Sequence, residues 1–578
     1  MVTQIGDANS NTPAVQVRLH PIGEIPVHVG QNILGIIGTS SHGPAMEVIP
    51  MTSSQEVKST YVAGPLARAG QIAFYNGLQQ AYMVRVLGSG YASATYQLTD
   101  GLLSPDDAGL VTAASSGVTG NSISWVVAAG TFKAHDVEYF VGDGTVGPYY
   151  LEHCDLVGPW PVASDANWVK VDAVAHTPVY AAEDLVAGKV YIDKTNGSLT
   201  FFAGEEPTAY SAITCDIAYN TRKITVTDGD YTYPAIDNLA DTAAIEAAFK
   251  YSSVATYDAD ATNTHLPASG TYRLTGGLDG AAIDSSAWDD AIWVLRDYIN
   301  EAKTGITAVT LTQASVTDGD GSYDLVSVCE GHASEMEQDW EPCLWVIGMD
   351  ANEDESNMIQ TVSSLSHRNL IVVANPWGAE QDPPRTNGWV ALAAREAQIS
   401  LGDDTGERSS LNALMGMQGL LNVYRKGTVQ ALQNNRLCVL VKEDAGLFPN
   451  WSRTVGWDWQ FADAVDNRTI NYVLRMLEAI SKRYFFKKNT PDVRADFRRS
   501  IAIELNRLLA SHIATKYILE VKGPGDAGYQ YSDTGRVDIT LQIENVGHIK
   551  RVFIDYGVGI IEDGANVVYA PNIYSQDA

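Results

Sequence analysis

An α/β pattern in this chain breaks off near Gly88 and resumes near Leu274, so the fold must close one layered structure around a long interruption. Before the break, VHVGQNILGIIG (27 to 38) is an apolar run bounded by glycines, as a buried strand requires. Leu66, Ala69, Ile72, Ala73 and Leu78 follow at helical spacing, and AYMVRVL (81 to 87) reads as a second buried strand. After LTGGLDG (274 to 280), Trp288 to Ile299 is helical by spacing, LWVIGM (344 to 349) is a strand, 353 to 366 suits a helix, and NLIVVAN (369 to 375) is the next strand. That connection is long enough for a parallel crossover, so the two halves are expected to complete one sheet.

The interruption has a different texture. Short Val/Thr/Tyr-rich runs such as SISWVVAAGTF, KVYIDKTNGSLTFFA and RKITVTDGDYTY alternate with Gly, Asn and Asp turns, which predicts antiparallel β modules. Residues 91 to 268 hold seven Lys+Arg against 23 Asp+Glu, so the insertion is expected to face solvent. The whole chain of 578 residues carries a net charge of −31, which repels phosphate and excludes nucleic acid as a bulk partner. Nowhere do eighteen apolar residues run together, and the first residues lack a charged and an apolar leader region. The expectation is a protein made in the cytoplasm, with no direct membrane insertion. Five scattered cysteines, Cys154, Cys215, Cys329, Cys343 and Cys438, fit buried small side chains better than a disulfide framework.

Toward the C-terminus, Ile470, Val473, Leu474, Leu477, Ile480 and Tyr484 recur at helical spacing. A second helix is expected from Thr490, with Pro491 in its first turn and Val493, Phe497, Ile501, Leu505 and Leu508 as its buried stripe. Val537, Ile539, Leu541 and Ile543 then alternate on one face of a strand, with HIKRVFIDY as its expected partner. This region inverts the charge: residues 467 to 516 hold 11 Lys+Arg against four Asp+Glu, a net of +7. Arg468, Arg475 and Lys482 share a helix face, with Arg483, Lys487 and Lys488 at its end. They form either a solvated face or a docking face for an acidic partner.

No enzymatic signature emerges. GTSSHGPA (38 to 45) has the glycine spacing of a phosphate loop, but Pro44 and Ala45 stand where Lys and Ser/Thr are required. Ser41 and His42 are neighbours on an extended segment, a poor arrangement for a catalytic dyad. Cys329, His332 and Cys343 lack a fourth metal ligand, and the Asp-rich turns at 227 to 231 and 318 to 324 lack the spacing of a calcium loop.

Three blocks, read in order, resemble the sheath proteins of contractile tails in bacteriophages and related injection machines. They are residues 27 to 88 with their VRV ending, LTGGLDG, and residues 468 to 509 with GRVDITLQIENVGHIKRVFIDYGV. The resemblance implies a non-enzymatic structural protein of the virion tail that uses no cofactor. Copies would stack as hexameric rings around an inner tail tube protein and meet baseplate and tail terminator proteins, after assembly in the host cytoplasm. It also implies a multidomain α/β and α+β fold: an N-terminal arm (1–22), an α/β core (23–90 and 270–465), the acidic β-rich insertion (91–269), a C-terminal α+β domain (466–558) and a C-terminal arm (559–578). Val15, Val17 and Leu19 would add a strand to the Val537, Ile539, Leu541, Ile543 sheet of a neighbour. Arg468, Arg475, Lys482, Arg483, Lys487 and Lys488 would face the tube, and Gly276, Gly277, Asp279 and Gly280 would form a structural turn. A second expectation from another class is an acidic multidomain hydrolase whose insertion binds carbohydrate, which requires a pair of carboxylates in a cleft. A purely adhesive β module fits less well, given two α/β regions and a basic hairpin.

Overall fold

The computed structural model describes residues 3–5, 17–19, 32–100, 105–151, 156–158, 168–195, 197–229, 231–261, 265–302, 305–318, 321–350, 353–375, 377–379, 385–408, 412–417, 419–458, 462–529 and 535–546. Its larger compact unit spans 28–399 and 405–475, and a smaller one gathers 1–27, 400–404 and 476–578.

A six-stranded sheet organises the larger unit. Its order is Leu370–Val373, Leu344–Gly348, Ala308–Leu311, Ile33–Gly38, Gln80–Arg85, Val48–Met51. Every neighbouring pair is parallel except the last, where Val48–Met51 runs antiparallel along the edge. Both faces of the central strands are covered, so these are largely apolar and successive residues enter opposite cores. Ile37, Val309, Leu311, Trp345 and Ile347 pack with helices Ser285–Ala302 and Leu325–Gln338. Leu34, Ile36, Met83, Val346 and Ile371 pack with helices Ser54–Tyr61, Pro65–Tyr75 and Gly388–Gln398. Strands from before and after the insertion thus sit side by side: Ala308 lies opposite Leu34 and Thr310 opposite Ile36.

The insertion is β-rich, as its texture predicts. Two long strands, Ile123–Val141 and Ala212–Asp228, pair antiparallel and anchor an eleven-stranded sheet, and Ser93–Thr99, Asp107–Ser116 and Ala255–Ala259 form a second sheet. Their shared core contains Trp125, Trp168, Phe201, Ile213, Phe249 and Tyr257. Fully burying each such side chain contributes about 1.5–3 kcal/mol.

In the smaller unit, helix Pro491–Ala510 starts at Thr490, whose hydroxyl accepts from the Val493 N–H at 3.4 Å. Phe497, Ile501, Leu505 and Leu508 are buried, whereas Val493 is only half-buried. The helix packs on strand Ala514–Lys522, which pairs antiparallel with Asp538–Asn545. The expected partner of that last strand was HIKRVFIDY. Among the described residues Asp538–Asn545 pairs with Ala514–Lys522, with Leu519 opposite Leu541 and Val521 opposite Ile539. Residues 547 to 578, which include all of HIKRVFIDY and the expected C-terminal arm, lie outside the described residues.

Candidate assembly surfaces

The insertion leaves the sheet after Arg85 and returns beside its own exit. Ala281 N–H donates to the Ser89 carbonyl at 2.9 Å, and Ala92 and Leu278 exchange hydrogen bonds at 2.9 and 3.0 Å. The LTGGLDG turn makes this neck. Gly276 and Gly280 have φ of +84° and +80°, and a Cβ on Gly280 would meet the Gly88 carbonyl at 2.4 Å, so both positions demand glycine. Asn121 brackets Gly277 by accepting from its N–H at 2.9 Å and donating to its carbonyl at 3.0 Å. Asp279 accepts from the Val118 N–H at 2.9 Å.

Arg85 holds the base of this neck. Its guanidinium, 2 % exposed, donates to the carbonyls of Ser40 (3.0 Å), Gly43 (2.6 Å) and Ser116 (2.8 Å). One side chain therefore ties the strand end and the phosphate-loop-like turn to the insertion. Burial lowers its pKa, and the nearby Asp279 charge works against that. Ser41 Oγ does lie 2.9 Å from His42 Nδ1, but the same hydroxyl is 3.2 Å from the Ala63 carbonyl, which makes it part of the local turn. His332 is 5 % exposed, lies 3.0 Å from Asp289 and stacks on Trp345, so its ring is held by a carboxylate and by aromatic packing. Asp324 caps helix Leu325–Gln338 by accepting from the Val326 N–H.

The six basic residues do not form one surface. Arg468 and Arg475, on helix Ala464–Lys482, are 2 % and 7 % exposed. Arg468 Nε lies 3.1 Å from the carboxylate of Glu396, and its Nη1 donates to the Ile399 carbonyl at 3.2 Å. Glu396 in turn accepts from Thr405 and Ser452 at 2.6 and 2.5 Å. Arg475 donates to the Ile306 carbonyl at 3.1 Å, and its pKa is lowered by burial. These two arginines saturate interior acceptors and cannot present a docking face, which corrects the expectation for them. The seven-residue recurrence places Arg468 and Arg475 on a buried face, while Lys482, seven residues further on, is exposed.

Lys482, Arg483, Lys487 and Lys488 are exposed. They surround the tip of the hairpin, where Phe485 and Phe486 are exposed as well. The sequence reading passed over these two aromatics, although two adjacent phenylalanines set within a cationic run are visible in RYFFKK.

Val537, Ile539, Leu541 and Ile543 are half-buried, while Thr540, Gln542 and Glu544 between them are exposed. Each of the two strands here has one partner among the described residues. Such a pair is marginal alone, and the edge of a two-stranded sheet can take up a further strand through main-chain hydrogen bonds. At the N-terminus, Val17–Leu19 pairs with Thr3–Ile5, Thr3 opposite Leu19 and Ile5 opposite Val17. Val15 lies outside the described residues.

No family model matches the sequence, and no curated protein matches it. The solved structures to which the chain is similar include two sheath tail proteins and the sheath of a contractile injection system. A sheath tail protein from Listeria innocua superposes with a TM-score of 0.53 at 12% identity, over 90% of this chain and 96% of its own. One from Desulfitobacterium hafniense aligns over 93% of this chain and 100% of its own, with 11% identity and a TM-score of 0.49. The sheath of an extracellular contractile injection system in its contracted state covers 40% of this chain and 68% of its own, with 12% identity and a TM-score of 0.35. The chain therefore has the mixed α/β, multidomain fold seen in the Listeria sheath tail protein.

Proposed function

We propose that this chain is the structural subunit of a contractile tail sheath and performs no catalysis. The observation that carries the reading is the likeness in fold to a sheath tail protein across nine-tenths of the chain. Copies stack as hexameric rings around an inner tube, with the insertion outward and the C-terminal hairpin toward the tube. Baseplate and terminator proteins close the ends, and assembly takes place in the host cytoplasm.

The local physics suits that role. Main-chain hydrogen bonding at a sheet edge is strong yet indifferent to side-chain detail, so exchanged strands hold a lattice while the linkers between them bend. The N-terminal Val17–Leu19 strand would give up Thr3–Ile5 for the edge of a neighbour's Ala514–Lys522 and Asp538–Asn545 pair, and the C-terminal arm would do the same on another neighbour. The half-buried Val537, Ile539, Leu541 and Ile543 supply the apolar face that the added strands complete. The tube contact through Lys482, Arg483, Lys487 and Lys488 must break on firing. Exposed ion pairs, each worth about 0–1 kcal/mol and screened by salt, orient that contact while adding little to the cost of breaking it. Contraction is then a passive passage from a metastable lattice to one with more buried contact, without a nucleotide.

Negative-stain microscopy of the purified chain tests this. Long hollow tubes or stacked rings are expected, and a dispersed monomer at high concentration contradicts the reading.

A further inference from the structure

The tip of the basic hairpin carries more than charge. Phe485 is 61% exposed and Phe486 108% exposed, so the second ring stands wholly in solvent. Phe486 also has φ of +62°, a left-handed conformation that a bulky aromatic adopts only at a cost. An apolar ring held outward in a strained conformation is an arrangement that solvation alone disfavours.

The surroundings fix it there. Tyr484 packs against Phe497 with ring centroids 4.6 Å apart and the planes tilted by 32°, and its hydroxyl lies 2.8 Å from Ser500 Oγ. Lys487 Nζ sits over the Tyr484 ring, 4.1 Å from its centroid. Lys487 N–H donates to the Tyr484 carbonyl at 3.1 Å, closing the turn around the two phenylalanines. Asn489 joins the turn to the Arg536 carbonyl at 3.0 Å and accepts from Arg494 at 2.8 Å. The tip is thus ordered before it meets anything, and preorganisation of this kind lowers the entropy cost of association. Around it stand Lys482, Arg483, Lys487 and Lys488.

We infer that Phe485 and Phe486 are an apolar docking knob that inserts into a socket on an acidic protein surface, with the four cations selecting that surface by charge. Under the proposed function, on which this inference rests, the acidic surface belongs to the inner tube. Aromatic anchors at the centre of a charged rim carry most of the affinity in protein interfaces, while rim charges set orientation and rate. The contact should therefore outlast the screening that removes surface ion pairs.

The test is co-sedimentation of the full-length chain with bare inner tubes stripped from native particles, at about 0.05 M and about 0.5 M salt, where screening lengths differ several-fold. Three proteins are compared: the parent chain, Phe485→Ser with Phe486→Ser, and Lys482→Glu with Arg483→Glu, Lys487→Glu and Lys488→Glu. Vesicles of neutral and of anionic lipid serve as separate arms. The phenylalanines touch solvent, so the first variant should fold, shown by an unchanged melting temperature, and polymerise into sheath lattices by negative stain. Support consists of parent binding that persists at the higher salt and falls at least about tenfold in the Phe variant, with vesicles left unbound; tenfold corresponds to about 1.4 kcal/mol. Unchanged tube binding by the Phe variant overturns the knob while leaving the sheath reading intact. Phe-dependent binding to anionic vesicles in place of tubes overturns the protein-socket assignment. If the parent chain forms no lattice at all, the sheath reading fails first and takes this inference with it.

Discussion

At the residue scale, buried charge decides what this molecule tolerates. Glu396 is fully buried, and Arg468 beside it is 2 % exposed. Removing one partner of a buried, hydrogen-bonded pair leaves an uncompensated charge, which typically costs about 3–5 kcal/mol. Arg468→Ala should therefore lower stability by roughly that amount in a denaturant titration, and Arg468→Met with Glu396→Gln should recover part of it. A loss below about 1 kcal/mol in the single variant would show that the pair is not as closed to water as its burial indicates. For the same reason, charge reversal at Arg468 or Arg475 tests folding, and docking is tested only at the exposed cations.

Glu337 gives a pH dependence with a definite sign. Burial raises its pKa, but a hydrogen bond to His367 and the Arg368 guanidinium 2.8 Å away more than offset this, so it falls below its ordinary 4.5. A carboxylate held more acidic in the folded state stabilises the fold above its ordinary pKa, and that contribution disappears as pH falls through the depressed value. Glu337→Gln should be less stable than the parent near neutral pH, with the gap closing in acid. A gap that widens on acidification would refute the pairing.

At the element scale, the arm and the edge make the clearest prediction. Deleting residues 1 to 20 should leave circular dichroism and melting nearly unchanged, because Val17–Leu19 pairs only with Thr3–Ile5 among the described residues. The truncated chain should no longer polymerise in negative stain. Tubes formed by it would show that the N-terminal strand is not the lattice link.

Elements also show where a sequence is legible. Ile33–Gly38, Gln80–Arg85, Leu344–Gly348 and Leu370–Val373 all fall within runs readable as buried strands, because length and apolar continuity coincide there. Ala308–Leu311, at the centre of the sheet, was not read as a strand: four residues buried on both faces leave neither alternation nor length to detect. Helix Gly388–Gln398 escaped for a related reason, since Trp389 to Ala397 are buried all round and produce no stripe. Helix Ala464–Lys482 is legible, and Val473 and Ile480 of its apolar stripe are buried, but polar residues share that buried side. Ile470, Leu474 and Leu477 are half-buried, whereas Asn467, Arg468, Asn471 and Arg475 are buried. Polar side chains that satisfy interior carbonyls do not register in an apolar pattern. The pairing of Ala514–Lys522 with Asp538–Asn545 was equally invisible, because register depends on turns and long-range packing.

On the scale of the whole molecule, the sheet and the insertion meet through a narrow stem. The two chain segments there lie within hydrogen-bonding distance, Ala281 against Ser89. Excising residues 91 to 278 and bridging the ends with a short glycine-serine linker should leave the six-stranded sheet folded, with a cooperative melt and protection of its amides from exchange. The variant will lose some stability, since Arg85 forfeits its bond to Ser116 and Gly43 its bond to Ser115. A chain that fails to fold would mean the insertion is part of the core and not an attachment to it.

The paired stem also makes the position a natural grafting point. A reporter enzyme or epitope whose own termini lie close together could replace the acidic lobe there and be displayed on every copy, while the parallel sheet beneath keeps its register.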